Sequence, residues 1–160
     1  MQQVVFALIT FLHDLFTAIW IGGMFGLALA VLPSIKAVLG LGPDTHKLTE
    51  AIQKRLSVLV YISIVGLLVT GLLLSRRAPQ FQGLFQFDNT YSLVLGIKHV
   101  LVLLMIAVAL ARSLGFKGKP TPQQAKVKMA LLLSNLVLGT GVLLLSGFSA
   151  ALANTQPPVI

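Results

Sequence analysis

Four residues in two pairs could carry chemistry in this chain. His13 and Asp14 stand side by side within one apolar run, and Lys98 and His99 within another. An ionisable group in the middle of a bilayer costs roughly 2.5–3.5 kcal/mol on insertion scales, so such groups are expected to face protein and to have partners. Two imidazoles opposed across helices can ligate a planar haem. Imidazole with thioether suits copper instead, Cu(I) above all. His13, Thr17, Trp20 and Met24 follow one helical face at steps of four, three and four, and Lys98 and Met105 share a face of their own. Met24 and Met105, then Met129 and His46, would mark an inward path for such an ion. The plainer account makes Asp14–Lys98 a structural ion pair and lets His13 and His99 hydrogen-bond across helices. The methionines are then core filler, and His46 beside Lys47 is a solvated surface residue.

The elements that must position these groups follow from composition. Of 160 residues, 56% are hydrophobic and only 10% charged. Apolar runs of about 20 residues recur, the length a helix needs to cross roughly 30 Å of hydrocarbon. Period-two alternation is absent, so helices are the spanning elements. The formal charge of +8 does not signal nucleic acid, because the basic residues flank the apolar segments as membrane topology places them. With no cysteine, disulfides, thiolate metal sites and thiol redox chemistry are excluded. Met1-Gln2-Gln3 carries no basic residue and precedes too long an apolar run for a cleaved signal peptide. No nucleophile–base triad, phosphate-binding glycine loop or carboxylate pair appears.

The expected fold is all-α, a single transmembrane domain over 1–160 with helices at about 4–33, 45–75, 91–113 and 122–151. Pro33-Ser34 and then Gly40, Gly42 and Pro43 punctuate the end of the first. Asp44 or Thr45 can cap the second, with Glu50 and Lys54 spaced for an i,i+4 pair. Thr121-Pro122 reads as an N-cap followed by proline at the first helical position. Short connections favour an up-down four-helix bundle. Lys36, Lys47, Lys54 and Arg55 in one connection, and Lys117, Lys119, Lys126 and Lys128 in another, predict that the N- and C-termini lie outside. His13 and His99 then each lie on the order of 12–14 Å below the outer surface at 1.5 Å per residue. Arg76 and Arg77 close the second helix on that side, where haem propionates would find cationic partners. The stretch 80–90, rich in Phe, Gln and Gly, suits the headgroup interface. Val69-Thr70-Gly71-Leu72-Leu73-Leu74-Ser75 echoes Thr140-Gly141-Val142-Leu143-Leu144-Leu145-Ser146, which hints at a duplicated hairpin.

Leu12-His13 and Ala18-Ile19-Trp20-Ile21-Gly22-Gly23-Met24 resemble the opening helix of the copper resistance D (CopD) domain family. Gly96-Ile97-Lys98-His99-Val100-Leu101-Val102 resembles that family's third-helix lysine segment. The related HemJ-type protoporphyrinogen oxidases pair a first-helix histidine with a third-helix lysine. That likeness implies a b-type haem on His13 and an essential, catalytic Lys98 in a haem-dependent oxidoreductase. Leu32-Pro33-Ser34 lacks the arginine of the HemJ pattern, and Asp14 and His99 also depart from it. CopD likeness by itself implies copper uptake or tolerance.

The expectation is thus a multi-pass protein of the cytoplasmic membrane. It holds haem b, or else copper, between the first and third helices, on His13 and His99 with Arg76 and Arg77 nearby. Met24 and Met105 join the histidines as metal ligands if the ion is copper. Its work would be electron transfer or oxidation, or copper homeostasis. The alternative is a cofactor-free subunit of a larger membrane complex. Besides the bilayer, the partners in view are a redox protein, a larger complex or a second copy, and no nucleic acid.

Overall fold

The computed structural model describes residues 1–76, 90–115 and 121–154. Every regular element among them is helical. Among the described residues four helices are long and apolar enough to cross a membrane: α1 (Gln2–Leu39), α2 (Pro43–Ser75), α3 (Thr90–Leu114) and α4 (Pro122–Asn154). Only 22–28% of the most apolar window of each is buried. Phe11, Val65, Leu103 and Leu144 are among the large apolar side chains left exposed. Helices apolar on their outer as well as their inner faces belong in lipid, not water. The chain is therefore an all-α membrane protein.

It divides into two compact units, Met1–Arg76 with α1 and α2, and Arg77–Ile160 with α3 and α4. In each unit the two helices pack along one another.

The first helix does not stop at Pro33, where sequence places its end. It is α-helical over Gln2–Thr17, widens to a π-turn at Ala18–Gly22, and widens again at Gly26–Val31 before closing as α-helix over Leu32–Leu39. The buried side chains Trp20, Met24, Leu27, Leu32 and Ile35 follow this winding. Their steps are four, three, five and three, and the step of five crosses the second wide turn. At its end the Leu32 N–H donates to the Leu27 carbonyl, five residues back. Proline has no N–H, and its ring crowds the carbonyl four residues back. Placed directly after a wide turn, Pro33 sits in the first turn of a resumed helix, where both demands relax. The helix ends instead at Gly40, whose φ of +67° and ψ of −157° suit only glycine.

The second helix starts earlier than Asp44 or Thr45 would have it. Gly42 is the extended cap and Pro43 the first helical residue, which its fixed φ favours. Asp44 then falls in the first turn, where its charge meets the helix dipole, and it pairs with Lys47 at 3.7 Å. Thr45 is buried and its hydroxyl donates to the Gly40 carbonyl at 2.8 Å, tying the helix start to the turn. Among the described residues Glu50 and Lys54 form no ion pair. At the start of α4, Thr121 does cap. Its N–H donates to Gln124 Oε1 at 3.0 Å, while the Gln124 N–H donates to Thr121 Oγ1 at 3.3 Å. This is a reciprocal capping box.

Candidate functional site

The first hairpin is held by a ladder of close contacts that fixes the level of His13. A Cβ added to Gly66 would fall inside the Phe16 ring, so the missing side chain is the notch that seats the phenyl group. One turn away, His13 Nδ1 lies 2.9 Å from Thr70 Oγ1. A Cβ on Gly71 would rest against His13 Cε1 at 3.5 Å, an ordinary contact. Gly66, Thr70 and Gly71 together make the wall of α2 that receives Phe16 and His13.

Proton bookkeeping sets the state of the ring. The Thr70 hydroxyl donates its one proton to the Gly66 carbonyl at 2.7 Å. Its oxygen can therefore only accept from His13, which assigns the imidazole proton to Nδ1. In the neutral ring Nε2 is then the lone-pair atom, able to take a proton or a metal. The His13 carbonyl also accepts from the Thr17 hydroxyl at 2.9 Å, one turn further along α1.

The second hairpin reaches the same state by another route. His99 Nδ1 lies 2.7 Å from the carbonyl of Leu95 on its own helix. A carbonyl can only accept, so His99 also carries its proton on Nδ1 and presents Nε2 as the lone-pair atom. Lys98 and His99 are both half-buried. Leu101 Cδ1 would meet a Cβ on Gly141 at 3.4 Å, so α3 and α4 also close over a glycine. The buried face of this hairpin is apolar, with Leu95, Met105, Leu132, Leu136 and Val142, save for Ser92 and Asn135.

The remaining sequence candidates fall as follows. Asp14 is exposed on α1, and no residue of its own hairpin forms an ion pair with it. Neighbours on a helix point about 100° apart, so His13 turning to Thr70 carries Asp14 off that face. Met24 and Met105 are almost wholly buried, in α1 and α3 respectively. Met24 stands eleven residues from His13, about 16 Å along a helix, so the two cannot share one ion. Met129 is half-buried and His46 exposed. Arg76 is exposed just past the last turn of α2, and Arg77 and the stretch 80–89 lie outside the described residues. Among the described residues no three His, Cys, Asp or Glu side chains gather as a metal cluster. Each hairpin thus carries one imidazole whose Nδ1 is held by a hydrogen bond, a donor chemistry compatible with either haem iron or copper.

The echo between α2 and α4 stops short of the histidines. Thr140 is exposed and donates to Leu136 O at 2.9 Å on its own helix, whereas Thr70 meets His13. Of the residues that matter to the first hairpin, sequence reading passes over Phe16, whereas Gly66 reads as a close-packing glycine and Ser63 and Thr70 as hydroxyls able to bond to backbone or a neighbouring helix. The signal for a shared face was present, since Ser63, Gly66 and Thr70 recur at steps of three and four along one face of α2. Compared with protein-family models, curated proteins and solved structures, the chain has no match.

Proposed function

We propose that this chain is a multi-pass haem b protein of the cytoplasmic membrane that passes electrons, with the Nε2 atoms of His13 and His99 as its iron ligands. One observation carries the reading. Each imidazole has its Nδ1–H committed to a fixed acceptor, Thr70 Oγ1 at 2.9 Å or Leu95 O at 2.7 Å. Metal-ligating histidines almost always have their other ring nitrogen held this way, which sets the tautomer and raises ligand basicity. A haem so held supplies a one-electron carrier. The chain's own residues orient the two rings, keep water away through apolar helices, and offer Arg76 to a propionate. Orientation with both termini outside follows the basic residues of the first and third connections.

The test is the absorbance of the purified protein made with haem available. A Soret band with the low-spin form of two nitrogen ligands, lost in His13→Ala and in His99→Ala, supports the reading and shows that one iron takes both rings. Loss in only one variant would assign a single ligand. Copper in whole-number stoichiometry without a Soret band would refute haem in favour of a CopD-like copper role. Neither cofactor, with stably co-purifying proteins, would make the chain a structural subunit.

A further inference from the structure

Two polar atoms in the first hairpin are buried without a hydrogen-bond partner: the indole Nε1 of Trp20 and the hydroxyl of Ser63. Their residues are 1% and 0% exposed. Leaving such a group unpaired costs about 1–3 kcal/mol, and native interiors rarely tolerate it. Trp20 and Ser63 lie on the two helices that the ladder joins. His13 meets Thr70 and Phe16 meets Gly66, so three residues forward on α1 match four residues back on α2. The next step pairs Trp20, four residues on, with Ser63, three residues back. The stretch Ala18–Gly22 indeed packs against α2, and side chains lean toward the N-terminus of their own helix, which brings the indole back toward the level of Ser63.

We propose that the first hairpin binds one internal water between Trp20 Nε1 and Ser63 Oγ. The indole can only donate, and the hydroxyl can donate and accept, so a molecule offering both functions satisfies the two together. Buried waters bind in this way, with two to four polar partners where no direct bond forms. Thr17, three residues before Trp20 on the same stripe, has already given its proton to the His13 carbonyl and offers lone pairs as a third contact. Nothing larger than water suits a place where both residues are closed to the surface. The inference does not depend on the haem reading, because neither residue is a proposed ligand.

Trp20 is the only tryptophan of the chain, so its indole N–H gives a single assignable signal. The full protein is labelled with heavy nitrogen at the indole and reconstituted in nanodiscs, with any haem held reduced and diamagnetic. Magnetisation transfer from water to the indole N–H is then recorded. The expected result is a water cross-peak in the native protein, kept in Ser63→Thr and lost in Ser63→Ala while the indole signal itself persists. A native protein with no water cross-peak overturns the proposal, and that measurement needs no variant to fold. A cross-peak unchanged in Ser63→Ala overturns it as well, since the water would not be held by the hydroxyl.

Discussion

Replacing Thr70 with valine keeps the shape of the side chain and removes the hydroxyl that His13 Nδ1 meets 2.9 Å away. The back-bond to the Gly66 carbonyl is lost too, but that carbonyl keeps its ordinary helical partner, so the cost falls on His13. A buried donor left unpaired costs about 1–3 kcal/mol in soluble proteins. Inside membranes the measured worth of an interhelical hydrogen bond is smaller, averaging about 0.6 and reaching about 1.7 kcal/mol, because the separated helices also find partners. The membrane value is the relevant one here, and a fixed, half-buried ring places this bond in its upper half. The expected coupling is about 1 kcal/mol, roughly a fivefold change in the folding equilibrium. A double-mutant cycle of Thr70→Val, His13→Phe and the pair, read by reversible unfolding in bicelles, isolates that term. Thr70→Ser should behave as the native protein. Coupling within about 0.3 kcal/mol of zero, the ordinary error of additivity, would refute the claim that this bond fixes the ring.

Other expectations follow from the same geometry. Gly66→Ala forces a methyl group into the Phe16 ring and should cost about 1–3 kcal/mol by overpacking, recovered in part by Phe16→Leu; Gly71→Ala, facing an ordinary contact, should be neutral in the same unfolding assay. If His13 binds iron, Thr70→Val should weaken haem retention about 10–100-fold in competition with apomyoglobin, the usual loss when a ligand's outer partner is removed. Asp14→Leu should raise membrane insertion of α1 by roughly 2.5–3.5 kcal/mol or more, scored by glycosylation mapping; an unchanged inserted fraction would mean that the carboxylate is not in hydrocarbon. Asn135→Leu removes a buried amide oxygen that lacks a partner and should leave stability level or raise it by about 1 kcal/mol.

The spans were legible in the sequence because hydrocarbon thickness sets a length that composition alone can meet. Their ends were less so. Pro33 reads as a stop only if the preceding turn is α-helical, and nothing local in Gly26–Val31 announces a wide turn; the five-residue step from Leu27 to Leu32 shows it once burial is known. Thr121-Pro122 was readable, and the Gln three residues after the threonine completes a pattern that needs no tertiary information. At the site, His13 was legible as a residue in need of a partner. Its partner was not, because a threonine costs little in a membrane helix and so carries no signal of its own. Asp14 was equally legible as an ionisable residue, yet a helix turns it about 100° from the face on which His13 meets Thr70, and its own hairpin leaves it exposed.

The two wide turns of α1 give that helix slack. A ladder that already holds surplus residues can pass the surplus along by one position, breaking one hydrogen bond as it makes another. Each such move would twist the stretch beyond it relative to the stretch before, without pulling the His13 end away from α2. Trp20 and Ile21, both buried at the first wide turn, are the side chains that would trade places. In this hairpin the histidine level is the anchored end of the shaft, and the half beyond the first wide turn is the end that such a move would twist.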